Sequence, residues 1–168
     1  MNLATFDIET DGFVDKLTMM SVAWTYNHTT EEYTEYTEHE VPKMVADLNK
    51  CDAIIAHNGI GFDVPALAKL CPTKLTPIVY DTMVTARLYR PDLVGGHSLE
   101  SWGKRLGILK GEVDDSADDI AETYGVYTPE LSEYCKQDVA VTVALFDFLE
   151  DKGYTADLLL TPMIKMRL

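Results

Sequence analysis

The sequence has no apolar run near the ~20 residues that a membrane-spanning helix needs, so no membrane span is expected. No basic segment precedes the short apolar stretch at residues 3–8, and a secretory leader is therefore not expected. Cysteine is scarce. Cys51, Cys71 and Cys135 are odd in number and lack C-x-x-C spacing, so they read as buried or semi-buried thiols in a reducing, cytoplasmic setting, with neither a disulfide framework nor a zinc site expected. Cys135 has no neighbouring histidine to serve as its base, which argues against a nucleophilic role. Basic residues are also few: 14 Lys and Arg against 28 Asp and Glu give a net charge of −14. Taken alone, that balance argues against tight, static binding of a duplex. It does not exclude an enzyme that holds one strand end through bound cations, two of which would offset four charges locally. The acidic excess at Glu31, Glu32, Glu35, Glu38 and Glu40, and again between Glu112 and Glu122, reads as solvated faces. Repeats, linkers and low-complexity segments are lacking as well, so one domain is expected over 1–168.

What is present reads as alternating strands and helices. Residues 3–8 suit a buried strand, 17–26 form a second β-rich run, and 32–37 alternate Tyr and Thr with Glu, the period of a half-exposed strand. These three are spaced for an antiparallel meander. An amphipathic helix is expected over 41–50 with Pro42 in its first turn, then a buried strand over 52–57, a helix over 63–70, a strand over 77–80 and a helix over 82–88. Residues 97–106 place Leu99, Trp102 and Leu106 on one helical face. Thr128 and Pro129 start a last helix to about residue 152, with Leu131, Cys135, Val139, Thr142 and Phe146 in one stripe. Three strands followed by alternating elements indicate an α/β domain with a mixed sheet.

Three acidic motifs stand out. Asp7 and Glu9 are two apart on the first strand, so both point to one face of the sheet. Two carboxylates on an otherwise apolar strand repel and resist burial, a cost that Mg²⁺ or Mn²⁺ removes; solvated acids at a strand end are the plainer alternative. Asp63 follows the loop His57-Asn58-Gly59-Ile60-Gly61-Phe62 at the C-terminal edge of the sheet, where α/β sites form, and an N-cap is its plainer role. Tyr134 and Asp138 are four apart on the last helix and so share a face. Asp138 abuts the apolar run at 139–146 and needs a partner there.

The order D-x-E, N-x-x-x-F-D and Y-x-x-x-D resembles the DEDD (DnaQ-like) 3′→5′ exonuclease family, in its tyrosine branch. That family includes the proofreading domains of family A DNA polymerases and the RNase D group. Phe6-Asp7-Ile8-Glu9-Thr10, His57-Asn58-Gly59, Phe62-Asp63-Val64-Pro65-Ala66-Leu67 and Asp81-Thr82 look like the exonuclease domain of short-tailed phage replicative polymerases. So do His97-Ser98-Leu99-Glu100-Ser101-Trp102-Gly103, Arg105-Leu106-Gly107, Lys110-Gly111-Glu112 and Gln137-Asp138-Val139. The resemblance runs from Phe6 to about Phe148 and includes no polymerase portion, which leaves a stand-alone enzyme, half of a split polymerase or a fragment as arrangements.

The resemblance implies an RNase H-like fold, a five-stranded mixed sheet flanked by helices. It implies two divalent ions, Mg²⁺ or Mn²⁺, bridged by Asp7, with Glu9 and Asp138 on the first ion, Asp63 reaching through water and Tyr134 positioning the nucleophile. The implied partner is the 3′ end of single-stranded DNA in a phage-infected bacterial cytoplasm, with RNA as the alternative and a separate DNA polymerase as a further partner. Thr10 and Asn58 are candidates to grip the terminal nucleotide, Phe13 and Phe62 to stack on it, and His57 to support the site. For Phe62 and His57 core packing and a structural role are the plainer readings. Lys104, Arg105 and Lys110 form the one basic cluster, a candidate for phosphate contacts. An inactive scaffold would be expected to have lost ligands, whereas all four acids and the tyrosine are present.

Overall fold

The computed structural model describes residues 1–108 and 120–154. Its central strand, β1 (Leu3–Thr10), sends Ala4, Phe6 and Ile8 into an apolar core and turns Thr5, Asp7 and Glu9 to the opposite face, as strand alternation requires. β2 (Met20–Asn27) and β3 (Glu32–Thr37) complete the antiparallel meander, and β4 (Ala53–Ala56) and β5 (Ile78–Asp81) add to the other edge of β1 in parallel. The sheet order is β3-β2-β1-β4-β5. This is the expected five-stranded mixed sheet.

Helices cover both faces. α1 (Val41–Leu48) and α2 (Asp63–Leu70) bury Val41, Met44, Val45, Leu48, Ala66 and Leu67 against Phe6, Ile8 and Ile54. α3 (Thr82–Tyr89), α4 (Leu99–Leu106) and the long α6 (Pro129–Asp151) lie together on the other side, where Ala86, Trp102, Leu145 and Leu149 form a cluster. α6 also packs on the sheet: Phe146 meets Ile55 and Tyr80, while Leu131 and Cys135 meet Val22. The expected α6 stripe is buried throughout. Its start is capped by the Thr128 hydroxyl, which accepts from the Leu131 amide at 3.0 Å.

Two differences from the sequence reading have local causes. The second strand begins at Met20, not residue 17, because the Asp11 carboxylate accepts from the amides of Thr18 and Met19 and from the Thr18 hydroxyl, holding residues 11–19 as a loop. Leu17 is still buried, but from that loop. A short helix, α5 (Ile120–Tyr124), was not expected from its acidic surroundings. Lys110 and the 158–160 leucines lie outside the described residues. Among those described, no helix is long and apolar enough to cross a membrane.

Candidate active site

The site forms where the sheet runs out of partners. β1 pairs with β2 as far as Thr10, but with β4 only over Leu3–Thr5. Beyond Thr5 one edge of β1 is open, and the chain leaving β4 fills it. Asn58 turns that chain with φ +63, and its carbonyl accepts from the amides of Gly61 and Phe62, both at 3.0 Å. A Cβ on Gly59 would stand 2.5 Å from the Ala56 side chain, so only glycine fits this close approach. The loop delivers Asp63 to the first position of α2, beside the backbone amide of Ile8. Asp63 is 3% exposed. Phe62, not Asp63, stands at the N-cap position, so capping does not account for the acid.

Asp7 is the electrostatic centre. Burial pushes its carboxyl well above the usual range, and the charges of Asp63, Glu9 and Asp138 push it further, against a hydrogen bond from Cys135 that lowers it. Asp63 is pushed up to about 7, chiefly by burial and further by Asp81, while its own amide and that of Ile8 oppose the rise. Asp138, 7% exposed on α6, completes the cluster. Three acids, one from the same strand, one from a loop–helix junction and one from a distant helix, therefore crowd the Asp7 carboxylate.

A cleft of about 300 Å³ opens over Asp7, Glu9 and Asp138, lined with them by Thr10, Phe13, Phe62, Tyr124 and Tyr134, while Asp63 is not in its lining. Phe13 is 62% exposed on its rim. Phe62 is half-buried and also packs on the core. The Thr10 hydroxyl donates to the Gly12 carbonyl at 2.9 Å. Asn58 and His57 are not in the lining. The His57 ring nitrogens face the Thr82 hydroxyl and the His97 carbonyl, each at 2.9 Å, which ties β4 to the α3–α4 region. Lys104 pairs with Glu100 at 2.6 Å. Arg105 donates to the carbonyls of Gly96 and Val94 and stacks on Trp102, and so pins the loop before α4.

Three neighbours were not singled out from sequence. Asp81, at the end of β5, accepts from the amides of Asn58, Ile60, Met83 and Val84 at 2.9–3.2 Å. It therefore caps α3 and holds the loop that carries Asp63. An acid just before a helix was a readable capping signal, but its second duty joins residues 21 and 23 positions apart. Tyr124 stands beside Tyr134 with ring centroids 6.4 Å apart, and the unforeseen α5 hid it. Cys135, fully buried, places its sulfur 3.5 Å from the Asp7 carbonyl and 3.6 Å from Asp7 Oδ2. Burial and the neighbouring acids push its thiol well up, so it is a neutral donor to Asp7.

A mixed five-stranded sheet with helices on both faces and four acids at the open end of its central strand defines an RNase H-like α/β protein. A family model described as RNase H superfamily matches residues 4–150, and the chain belongs to that superfamily. The DNA-directed DNA polymerases of Escherichia phage T7 and Enterobacteria phage T3 are each 30% identical over 187 residues, covering 88% of this chain and 27% of theirs. The chain thus spans about a quarter of the length of these curated relatives. Among solved structures, the family B DNA polymerase of Pyrobaculum calidifontis superposes with a TM-score of 0.69 at 14% identity, over 89% of this chain and 24% of that one. Brucella melitensis NrnC with bound Mg²⁺ superposes at 0.66 and 23% identity, over 89% and 72%. These similarities fit a DnaQ-like exonuclease of the kind carried by phage polymerases, and support a hydrolytic nuclease that acts on nucleic acid. Nucleases of this superfamily generally use divalent metals.

Proposed function

We propose that residues 1–168 form a single 3′→5′ exonuclease domain that hydrolyses phosphodiester bonds at the 3′ end of single-stranded DNA, with Asp7, Glu9, Asp63 and Asp138 holding two divalent ions, Mg²⁺ or Mn²⁺. The observation that carries this is the crowding of three acids around Asp7. Like charges at such a density, with Asp63 and Asp138 buried, are costly unless cations neutralise them. The donor set fits: it is all oxygen, as hard divalent ions prefer, and Asp63 Oδ1 is buried with no hydrogen-bond partner, a lone pair available for a ligand. Bound there, such ions supply positive charge against the scissile phosphate and lower the pKa of water.

The chain's own groups do the rest. Tyr134, on the cleft wall, orients the attacking water. Phe13 and Phe62, which line the cleft, stack on the terminal base, and Thr10 beside them grips the terminal nucleotide. Asn58 and His57 act from behind the cleft, one by turning the loop that carries Asp63 and the other by tying β4 to its neighbours. The phage relatives are DNA polymerases, which favours DNA as substrate, a proofreading role beside a polymerase and a place in the phage-infected bacterial cytoplasm.

The test is digestion of a 5′-labelled single strand of DNA, and of RNA in parallel, with Mg²⁺, Mn²⁺ or EDTA, beside Asp7→Ala. The expected result is a DNA ladder shortening from the 3′ end, abolished by EDTA and by the substitution. Preferential digestion of RNA would move the substrate class. Intact strands under every metal condition, with folded protein, would overturn the catalytic reading.

A further inference from the structure

We infer that Asp7, Glu9 and Cys135 form a three-donor site for a thiophilic divalent ion, of the zinc, cobalt and cadmium class, overlapping the site for the hard ions. This deepens the proposed function and rests on its reading of Asp7 and Glu9 as metal ligands. One ligand atom from each of the three residues lies within 4.8 Å of the other two. Zinc bonds of about 2.3 Å to sulfur and about 2.0 Å to oxygen, at a tetrahedral angle, set a sulfur-to-oxygen edge of about 3.5 Å. The Cys135 Sγ to Asp7 Oδ2 distance is 3.6 Å. That edge is already built.

A second observation points to a ligand beside Asp7. Asp63 adjoins Asp7, is 3% exposed, and its Oδ1 has no hydrogen-bond partner. Asp63 is not among the three donors whose ligand atoms lie within 4.8 Å of one another, so the fourth position of a tetrahedral shell falls to water. Cysteine spacing in the sequence could not show this site, because its sulfur comes from a helix and its oxygens from a strand 128 positions away in the case of Asp7.

The two ion classes are separated by sulfur. Mg²⁺ takes oxygen ligands and gains nothing from a thiol, whereas zinc and cobalt bind thiolate strongly. On binding, the metal–sulfur bond forms and the thiol proton leaves to the buffer, with no change of oxidation state. A thiophilic ion seated there occupies Asp7 and Glu9, so at fixed Mg²⁺ it competes with the hard ions and slows the nuclease.

Cobalt added to the full chain, first stripped of metal, is the direct test. The expected result is a thiolate-to-cobalt charge-transfer band that saturates at one equivalent, persists with equimolar Mg²⁺ and disappears on adding zinc. The band should be lost in Cys135→Ser and kept in a Cys51→Ser/Cys71→Ser double variant, which localises it without touching Cys135. Competition with a chromophoric chelator should show zinc affinity at least ~10-fold weaker in Cys135→Ser. Absence of the band from the wild type or the double variant, or its survival in Cys135→Ser, overturns the inference. Mg²⁺-dependent DNA digestion by the same wild-type preparation separates the two claims. Digestion without a band removes only the thiophilic site; a band without digestion removes only the nuclease reading.

Discussion

At the residue scale, the site trades stability for ligand capacity. Asp63 is pushed up to about 7 and Asp7 is pushed well up, both chiefly by burial. An unfolded aspartate titrates near 3.9, so between about pH 4 and pH 7 the folded chain binds more protons at these positions than the unfolded one. The sign follows: the metal-free protein keeps this contribution at low pH and loses stability as pH rises through that window. Asp7→Asn removes a charge that the fold resists. In EDTA at pH 8 it should therefore raise Tm by roughly 2–4 °C, on the order of 1 kcal/mol for a chain of this size. The gain should shrink towards pH 4, and the variant should be inactive. Added Mg²⁺ should raise the wild-type Tm at pH 8 more than that of the variant. Thermal melts at several pH values check this, and equal melting of the two proteins in EDTA at pH 8 would contradict it.

At the element scale, the catalytic geometry depends on junctions. Asp81 joins β5, α3 and the loop to Asp63 by accepting four amide bonds on one carboxylate. Asp81→Ala leaves those donors without their acceptor and should cost about 1–3 kcal/mol. Because the loop carries Asp63, the Mg²⁺ concentration for half-maximal digestion should also rise several-fold. A fall in Tm with an unchanged Mg²⁺ midpoint would confine Asp81 to the scaffold. α6 has its own tether: the Trp24 indole donates to the Ser132 hydroxyl at 2.9 Å, and Ser132 donates in turn to Glu35. That chain fixes the first turn of α6 against the meander, two residues before Tyr134. Most elements were legible because their periods and caps are local, as in 32–37, 63–70 and the Thr128–Pro129 start. α5 was not, because a five-residue helix has too few turns to show a period.

At the scale of the whole molecule, the charge of −14 must oppose the approach of a polyanion. Lys104 and Arg105, the described members of the one basic cluster, are exposed and engaged with Glu100, Gly96 and Val94. Substrate affinity should therefore respond weakly to salt. At fixed Mg²⁺, KM for single-stranded DNA should change less than about threefold between roughly 20 and 100 mM KCl, where a basic binder with several phosphate contacts would weaken far more. A steep rise in KM would place a cationic track on the surface. The four acids and Tyr134 were readable as separate motifs, and the fold supplies their convergence. What sequence could not supply was contact between distant segments: Asp81 under the Asp63 loop, Tyr124 beside Tyr134, and a thiol 3.6 Å from Asp7.

The central claim is that the four carboxylates hold a pair of divalent ions. Counting bound Mn²⁺ by electron paramagnetic resonance, with a nucleoside 5′-monophosphate present as product, tests it most directly. The account predicts two ions per wild-type chain, magnetically coupled through a shared ligand, and at most one uncoupled ion in Asp7→Ala. A wild type that binds no Mn²⁺, or an Asp7→Ala variant that binds the same coupled pair, would contradict it.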